Sequence, residues 1–381
     1  MPACSWASTW ACRATAAAMV AGGMVVGGIG CAAPSRPDPA PQPLIRQVAD
    51  RVLLDFPQPP PFDWGEGVLM AGMMRAGIVL SEPRYVDFVR TWADHWKARG
   101  IDTLLPDGPT DQIKGYCGYW GPGYPLLLLH ERTGDKAYLD MVLTIADFIL
   151  HQATRTADGG LGHWKGNREL WVDTLYMVCP PFAHLTRLTG DRRYLQEAVR
   201  QIDIYRRHTF DEQAGLFWHM YDEITARRVG VLWARGNGWV AMSYVQTLAV
   251  LDRDSADFRR LSGDYARLIA GLAGVQDKAT GLWHTVLDHP ETYLETSASA
   301  MILCSLVEAR RLGILPEPRD AMIARAWRGV ASRVDGDGRV FDVSGGTMPD
   351  TLEVYATKLK GTFTWGTGAF LLAGSALAEG R

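Results

Sequence analysis

The feature of this sequence that most constrains its fold is an internal repeat of helix openings. At six places, roughly 50 to 70 residues apart, a cluster of small or aromatic residues stands at the start of an apolar helical stretch. The six are DWGEGVLM from Asp63, GPGYPLLLL from Gly121, WVDTLYM from Trp171, GNGWVAM from Gly236, ETSASAMIL from Glu295 and TWGTGAFLL from Thr364. A period of this size is typical of chains that repeat one supersecondary unit.

A second repeat marks the turns inside the helix pairs. TGDKAYL begins at Thr133 and TGDRRYL at Thr189, 56 residues later. Glycine ends one helix and aspartate caps the next. Apolar positions recur at spacings of three and four, and no convincing alternating strands stand out. The sequence therefore predicts an all-α protein, an (α/α)6 barrel of six helix-pair units with six inner and six outer helices. An open superhelix of helix pairs is the alternative.

A third repeat places tryptophan and histidine in corresponding loops. GGLGHW begins at Gly159, AGLFWH at Ala214 and TGLWHT at Thr280. Their regular return favours a closed ring, in which these loops meet at one end and build one pocket. His163 and His219 occupy equivalent places and are predicted to share a site. His284 stands in the third loop, where a structural role is favoured.

The amino-terminal 43 residues differ from the rest in composition. Residues 1–31 are predicted to be an export signal of the lipoprotein type, because a 15-residue apolar run that is too short for a good membrane span leads directly to Cys31. Residues 32–43 are predicted to form a Pro-rich tether, and residues 44–381 are predicted to form the (α/α)6 barrel. We expect an exported protein, periplasmic or at the cell surface, that is held at the membrane only by a lipid on Cys31.

Charge and residue usage exclude several classes of function. The net charge of −3 argues against nucleic acid as a partner, because phosphate binding needs a basic footprint. No metal-ligand spacing, phosphate loop or dinucleotide fingerprint is present, so no metal or cofactor is expected.

Cys117, Cys179 and Cys304 are predicted to be buried thiols. The 14 tryptophans suit either a large aromatic core or carbohydrate stacking, and the oligomeric state is left open.

The stretch LWARGNGW could hold a small acidic ring, such as a uronic acid sugar. Trp233 and Trp239 offer flat apolar faces, and Arg235 offers a planar fork of donors suited to a carboxylate. The alternative is that both tryptophans belong to the core and the glycines form a tight turn.

The sharpest acidic candidate is Asp173, in WVDTLYM. It could instead be an ordinary helix N-cap, and a helix N-terminus would lower its pKa. Burial against Trp171 or a second nearby carboxylate could raise that pKa, as a proton donor requires. Of Asp107 and Asp111, in the loop before the second inner helix, Asp111 is chosen as the second carboxylate.

Taken in order, five motifs resemble the unsaturated rhamnogalacturonyl hydrolases of glycoside hydrolase family 105, and more distantly the unsaturated glucuronyl hydrolases of family 88. They are WVDTLYM, the HM of LFWHMYDE, LWARGNGW, ETSASAM and TFTWGTGAFL, and the resemblance runs roughly from Asp63 to the carboxyl terminus. It implies an (α/α)6 barrel acting on acidic oligosaccharides whose terminal uronic acid carries a C4–C5 double bond left by a lyase. An acid protonates C4, water adds at C5, and the hemiketal opens and releases the remaining sugar.

The resemblance also implies roles for individual residues. It assigns Asp173 as proton donor and water activator, with Trp171 beside it. Around the unsaturated sugar it places His163, His219, Trp233, Arg235 and Trp239. The sequence departs from the family pattern at the second aspartate, because no acidic residue lies between Asp111 and Gly123.

The predicted function is removal of the terminal unsaturated uronic acid from lyase-generated, pectin-derived oligosaccharides by hydration of this double bond. Two alternatives remain open at this point. One is a catalytically inactive glycan-binding lipoprotein on the same barrel. The other is a different (α/α)6 sugar enzyme, either an epimerase or a glucoamylase-like hydrolase.

Overall fold

The computed structural model describes residues 38–100, 115–315 and 319–379. Its helices are α1 (Pro41–Asp55), α2 (Trp64–Val79), α3 (Pro83–Arg99), α4 (Gly123–Thr133), α5 (Lys136–His151), α6 (Asp173–Thr189), α7 (Arg192–Thr209), α8 (Ala234–Leu248), α9 (Ala256–Gly274), α10 (Thr296–Leu312), α11 (Asp320–Ala331), α12 (Leu352–Ala356) and α13 (Thr364–Glu379). Its strands are β1 (Glu169–Trp171), β2 (Phe210–Asp211), β3 (Leu216–Phe217), β4 (Met220–Asp222), β5 (Arg227–Val229), β6 (Trp283–His284), β7 (Leu294–Glu295), β8 (Val343–Ser344) and β9 (Lys360–Gly361). A 3₁₀ turn at Cys117–Tyr119 precedes α4.

Six helices form a closed inner ring. Around the ring, α2, α4, α6, α8, α10 and α13 each pack against the next, and α13 returns to pack against α2. The outer helices α3, α5, α7, α9 and α11 each pack on the inner helix before them, and α1 packs on α13 as the sixth outer helix. The predicted all-α (α/α)6 barrel of six helix pairs is confirmed, and closure excludes the open superhelix.

The ring closes where α2 and α13 meet, and glycines allow the two backbones to approach. A Cβ atom at Gly72 would lie 2.7 Å from the carbonyl oxygen of Gly368. A Cβ atom at Gly368 would lie 2.4 Å from the carbonyl oxygen of Val68. Both distances are too short for any side chain, so the glycines at these two positions are what lets the first and last inner helices close the ring.

The Gly-Asp turns behave as the repeat predicts. Gly134 and Gly190 end α4 and α6 in the left-handed region, at φ +74° and +76°. The Asp135 carboxylate accepts the backbone N–H of Ala137 at 2.9 Å at the start of α5. Asp191 accepts the N–H two residues further on at 3.0 Å at the start of α7. Local capping therefore sets where α5 and α7 begin.

The short strands lie in the loops between the outer helices and the next inner ones. They pair as β1 with β4, β4 with β5, β2 with β3, β6 with β7 and β8 with β9, all antiparallel. The sequence did not predict them, because strands of two or three residues are too short to show an alternating pattern.

The barrel begins slightly before the predicted boundary at residue 44. Helix α1 starts at Pro41, inside the range assigned to the tether, and proline suits the first turn of a helix because it has no N–H to satisfy. The indole of Trp327 donates to the carbonyl oxygen of Pro39 at 2.7 Å, which attaches the preceding segment to α11. Within the three described ranges no helix is long and apolar enough to cross a membrane. Cys31 lies outside them.

Candidate active site

The pairing of β1 with β4 brings an aspartate and a histidine together across about fifty residues of sequence. In this pairing Trp171 lies opposite Met220, and the backbone N–H of Val172 donates to the carbonyl oxygen of His219 at 3.1 Å. Asp173 follows directly as the first residue of α6. The chain thus places the carboxylate at a helix start and the imidazole beside it.

The carboxylate of Asp173 is not used as a helix cap. Val172 is the N-cap of α6, and Asp173 Oδ2 lies 3.4 Å from His219 Nε2 with a side chain that is 18% exposed. Neither atom has a well-aligned hydrogen-bond partner among the described residues. Burial raises the pKa of Asp173, but the N–H that His219 turns towards it and the positive charge of Arg235 outweigh burial, so that the pKa lies below its ordinary value. The carboxylate is therefore ionised near neutral pH.

His219 lies buried behind this carboxylate. Its side chain is fully buried, its ring lies 4.1 Å from that of Trp233, and its Nδ1 lies 2.5 Å from the hydroxyl of Tyr355. Burial raises the pKa of Tyr355, so this hydroxyl keeps its proton and donates it to Nδ1. Burial also lowers the pKa of His219. The hydrogen-bond network thus assigns a neutral ring whose Nε2–H faces Asp173.

His163 and Trp171 form one wall of the site. Their rings stack 4.2 Å apart at an angle of 11°, and the indole of Trp171 donates to Glu169 at 2.8 Å. His163 Nδ1 lies 3.0 Å from the hydroxyl of Thr174 and 3.2 Å from Sγ of Cys117. Burial lowers the pKa of His163 to about 3. The ring is therefore neutral at any pH at which the protein is expected to work.

Arg235 is buried, and both terminal nitrogens of its guanidinium donate hydrogen bonds to residues of one loop. Its Nη1 donates to the carbonyl and hydroxyl oxygens of Ser344 at 2.9 and 2.6 Å. Its Nη2 donates to the carbonyl oxygen of Gly345 at 2.9 Å and to the hydroxyl of Thr347 at 3.2 Å. Only Nε lacks a partner among the described residues. Arg235 thus holds the loop at residues 344–347, whereas the sequence predicted that its fork faces a sugar carboxylate.

The two tryptophans of LWARGNGW lie in different places. The guanidinium of Arg235 lies 4.6 Å above the ring of Trp233 and 5.5 Å from that of Trp365, so Trp365 is the second ring beside the cation. Trp239 is fully buried and packs on Tyr176 and Trp64, with ring centres 4.7 and 6.3 Å away. Trp239 therefore packs behind Trp64, which lines the cavity, and does not line the cavity itself; its predicted place beside the sugar stays a prediction.

These side chains surround a cavity of about 190 Å³ at the loop end of the barrel. It is lined by Trp64, Tyr116, Cys117, Gly118, His163, Trp164, Trp171, Asp173, Met177, Trp233, Arg235, Gly346, Thr347 and Met348. A wider cavity of about 780 Å³ adjoins it and shares Tyr116, Trp164 and Met348 with it. The inner cavity has the size and aromatic lining of a site for one sugar ring, with room for further units outside.

The structure brings most of the predicted site residues together. Asp173, His163, Trp171, Trp233 and Arg235 all line the inner cavity, while His219 and Trp239 lie behind its lining. His284 does not line it, because its Nδ1 binds the carbonyl oxygen of Thr292 at 2.5 Å. The predicted second carboxylate, Asp111, and its neighbour Asp107 lie outside the described residues. The catalytic and binding roles of these residues stay predictions.

Several residues of the site escaped the sequence analysis. Trp164 directly follows His163, and Asp63 opens the first inner helix, so both stood inside motifs that were noted for other reasons. Tyr116 and Tyr355 carry no repeat signal. Tyr355 lies 136 residues from His219, and only the tertiary fold brings them together. Within the described ranges no three His, Cys, Asp or Glu side chains are placed so that they could hold a metal ion.

A closed barrel of six helical hairpins with an ionised carboxylate in an aromatic cavity defines a class of carbohydrate-processing enzymes. The comparison with known families agrees with this class. The model of Glycosyl Hydrolase Family 88 matches residues 41–379. The chain therefore belongs to this family and is a glycoside hydrolase.

Individual relatives confirm the resemblance to families 105 and 88. The chain is 29% identical over 315 residues to the unsaturated rhamnogalacturonyl hydrolase YesR of Bacillus subtilis. The matched residues cover 80% of this chain and 85% of the relative. It is 27% identical over 337 residues to an unsaturated 3S-rhamnoglycuronyl hydrolase of Formosa agariphila, with 83% and 84% covered. A crystal structure from Klebsiella pneumoniae, described as a possible member of family 105, superposes with a TM-score of 0.79 at 25% identity and covers 92% of this chain and 96% of the other.

Proposed function

We propose that this enzyme removes the terminal unsaturated uronic acid from oligosaccharides that a lyase has released from rhamnogalacturonan. The observation that carries the proposal is the Asp173 carboxylate, which is ionised, lines the inner cavity and has no hydrogen-bond partner for Oδ2 among the described residues. The Bacillus subtilis relative, named an unsaturated rhamnogalacturonyl hydrolase, supports this choice of substrate.

The reaction adds water across the C4–C5 double bond. The π electrons form a bond from C4 to the proton of a general acid, whose own bond to that proton breaks, and the positive charge that develops at C5 is shared with the ring oxygen. Water then bonds to C5 while Asp173 takes one of its protons. The resulting hemiketal opens between C5 and the ring oxygen, which leaves a hemiacetal at C1 that releases the remaining sugar. Ordinary two-carboxylate displacement at C1 is not part of this scheme.

The cavity suits a flat, half-unsaturated ring. The indoles of Trp171 and Trp233 line it with apolar faces, and neutral His163 stands beside them. Arg235 adds positive charge close to the cavity, although its Nη atoms are committed to the loop. Its contribution to binding therefore runs mainly through the loop, of which Thr347 lines the cavity.

The test follows the ultraviolet absorbance of the conjugated double bond. We expect absorbance to fall with lyase-digested rhamnogalacturonan and not with lyase-digested glycosaminoglycan or saturated aryl glycosides. Asp173→Asn, which keeps the shape of the side chain, should stop the fall and still bind the sugar. A folded, sugar-binding wild type that leaves every unsaturated substrate unchanged would favour the glycan-binding protein. Cleavage of a saturated glycoside would favour an ordinary glycosidase.

The cellular location is a separate part of the proposal. The apolar run that ends at Cys31 supports export and attachment of a lipid at this cysteine, outside the described residues. An enzyme placed in this way would meet acidic oligosaccharides in the periplasm or at the cell surface.

A further inference from the structure

The unsaturated ring carries little information about the polysaccharide from which it came. When a lyase removes the proton at C5 and breaks the bond from C4 to its oxygen, both carbons become planar. The configurations that distinguish one hexuronic acid from another at these two carbons are then lost. Specificity is a difference in affinity between two substrates. An enzyme that prefers fragments of one polysaccharide must therefore recognise the sugar next to the unsaturated ring.

Three side chains form the border between the inner cavity and the wider one. Tyr116, Trp164 and Met348 line both cavities, and Asp173 lines the inner one. A substrate that lies with its unsaturated ring beside Asp173 and extends into the wider cavity must pass these three side chains. Together they are called the apolar rim below.

Two members of the apolar rim are aromatic rings that support each other. Tyr116 and Trp164 stack with their ring centres 5.6 Å apart and an angle of 19° between the planes. Trp164 also packs edge-on against Trp171 of the inner cavity, with ring centres 4.8 Å apart. Both Tyr116 and Trp164 are half-buried. They therefore offer fixed apolar surface to a sugar that leaves the inner cavity.

The third member of the apolar rim, Met348, is 54% exposed. It directly follows the loop at residues 344–347, which is anchored on both sides. The backbone N–H of Ser344 donates to the buried carboxylate of Glu295 at 2.8 Å, and Arg235 donates to the carbonyl and hydroxyl oxygens of the same serine. A single exposed apolar side chain is common on protein surfaces, but this one stands beside a ligand cavity on an anchored loop. The thioether is flexible and polarizable, which suits contact with a ligand.

The chemistry of the apolar rim favours a 6-deoxy sugar. Rhamnose carries a methyl group at C6, where most hexoses carry a hydroxymethyl group. A methyl group loses no hydrogen bond to water when it lies against Met348 and the two rings, whereas a hydroxyl group does. The lining of the wider cavity contains one acidic and one basic side chain, Asp63 and Lys165. Their formal charges cancel, so the cavity does not favour a sulfated sugar.

We propose that Met348 is a specificity-determining residue that, with Tyr116 and Trp164, binds the sugar next to the unsaturated ring and selects a 6-deoxy sugar by its C6 methyl group. This proposal rests on the proposed function and names the part of the protein that distinguishes rhamnogalacturonan fragments from those of other polysaccharides. The apolar rim takes no part in bond making or breaking, and it acts on kcat/KM through its contacts with the second sugar.

The test compares two disaccharides that carry the same unsaturated uronic acid in the same linkage. One has L-rhamnose as its second sugar and the other has L-mannose, which differs from L-rhamnose only by a hydroxyl group at C6. The ultraviolet absorbance of the double bond gives kcat/KM for each compound. We expect the wild type to prefer the L-rhamnose compound by about tenfold or more, the lower end of what one small group contributes in an apolar pocket.

Substitutions at Met348 separate its apolar character from its size. Met348→Gln keeps the length of the side chain and makes its end polar, so the preference for L-rhamnose should fall to about threefold or less. Met348→Leu stays apolar and should retain the preference. The matched control is Leu359→Gln, because Leu359 is also exposed, at 75%, and its carbonyl oxygen accepts the N–H of Gly345 in the same loop. Its side chain lines neither cavity, so this variant should keep the wild-type preference.

The outcomes distinguish the two proposals. An active wild type with equal kcat/KM for both disaccharides would overturn the selection of a 6-deoxy sugar and leave the proposed function standing. A Met348→Gln variant that keeps the wild-type preference, or an equal loss of preference in Leu359→Gln, would overturn the role of Met348. A wild type that consumes neither compound would overturn both proposals. Loss of the preference in Met348→Gln, with the preference retained in Met348→Leu and Leu359→Gln, supports the assignment.

Discussion

Acid should destabilise the folded protein through His163 well before its carboxylates are protonated. Burial lowers the pKa of this histidine from 6.5 to about 3. Between these two values the unfolded chain binds a proton that the folded protein does not bind. The free energy of unfolding therefore falls as the pH falls below 6.5, and this loss ends near pH 3.

The size of the effect follows from the shift. At pH 5 the histidine is 1.5 units below its ordinary pKa of 6.5 and still above its folded value. At about 1.36 kcal/mol per unit, His163 alone should cost the folded state about 2 kcal/mol relative to pH 7. His219, whose pKa is also lowered by burial, acts in the same direction. The stabilising effect of Asp173, whose pKa is lowered from 3.8, is lost only at pH values below 3.8, so it does not change the free energy of unfolding between pH 7 and pH 5.

The assay is urea unfolding followed by tryptophan fluorescence at pH 7 and pH 5. The His163→Asn variant cannot take up this proton when it unfolds, so its loss of stability between the two pH values should be about 2 kcal/mol smaller than that of the wild type. His151→Asn is the matched control, because the His151 side chain is 61% exposed and should leave the difference unchanged. The reasoning fails if His163→Asn loses as much stability as the wild type.

Three further predictions concern the site and its location. Tyr355→Phe leaves the buried Nδ1 of His219 without its donor, which should lower the free energy of unfolding by about 1–3 kcal/mol and should lower kcat, because nothing then keeps the Nε2–H of the ring towards Asp173; Tyr265→Phe, which removes another buried hydroxyl, should not change kcat, and equal kcat values in the two variants would refute the role of the pair. Arg235→Lys replaces a fork that holds four loop acceptors by one ammonium group, so KM should rise by about tenfold with a smaller change in kcat; an unchanged KM would show that the loop does not need the fork. In a bacterial host Cys31→Ser should move the enzyme from the membrane fraction to the soluble one, and an unchanged distribution would contradict lipid attachment.

Much of the fold could be predicted from the sequence because its signals are local. Each Gly-Asp turn acts within a few residues of its position in the chain, as the left-handed Gly134 and the cap made by Asp135 show. The six helix openings recur at a regular distance, which indicates six similar units without any knowledge of their contacts. The short strand pairs escaped prediction because their few residues carry no periodic pattern.

The candidate site, like the fold, could be predicted from the sequence only in part. The sequence by itself determined that Asp173, His163 and Trp171 stand in loops and helix starts at one end of a ring, because that depends on repeat position alone. Only the tertiary structure decided that loop carbonyls about 110 residues away occupy the fork of Arg235, and that Trp239 does not line the cavity. The physical reason is that donors and aromatic faces find partners by distance in space, and closing the ring brings the ends of helices from distant parts of the chain into contact.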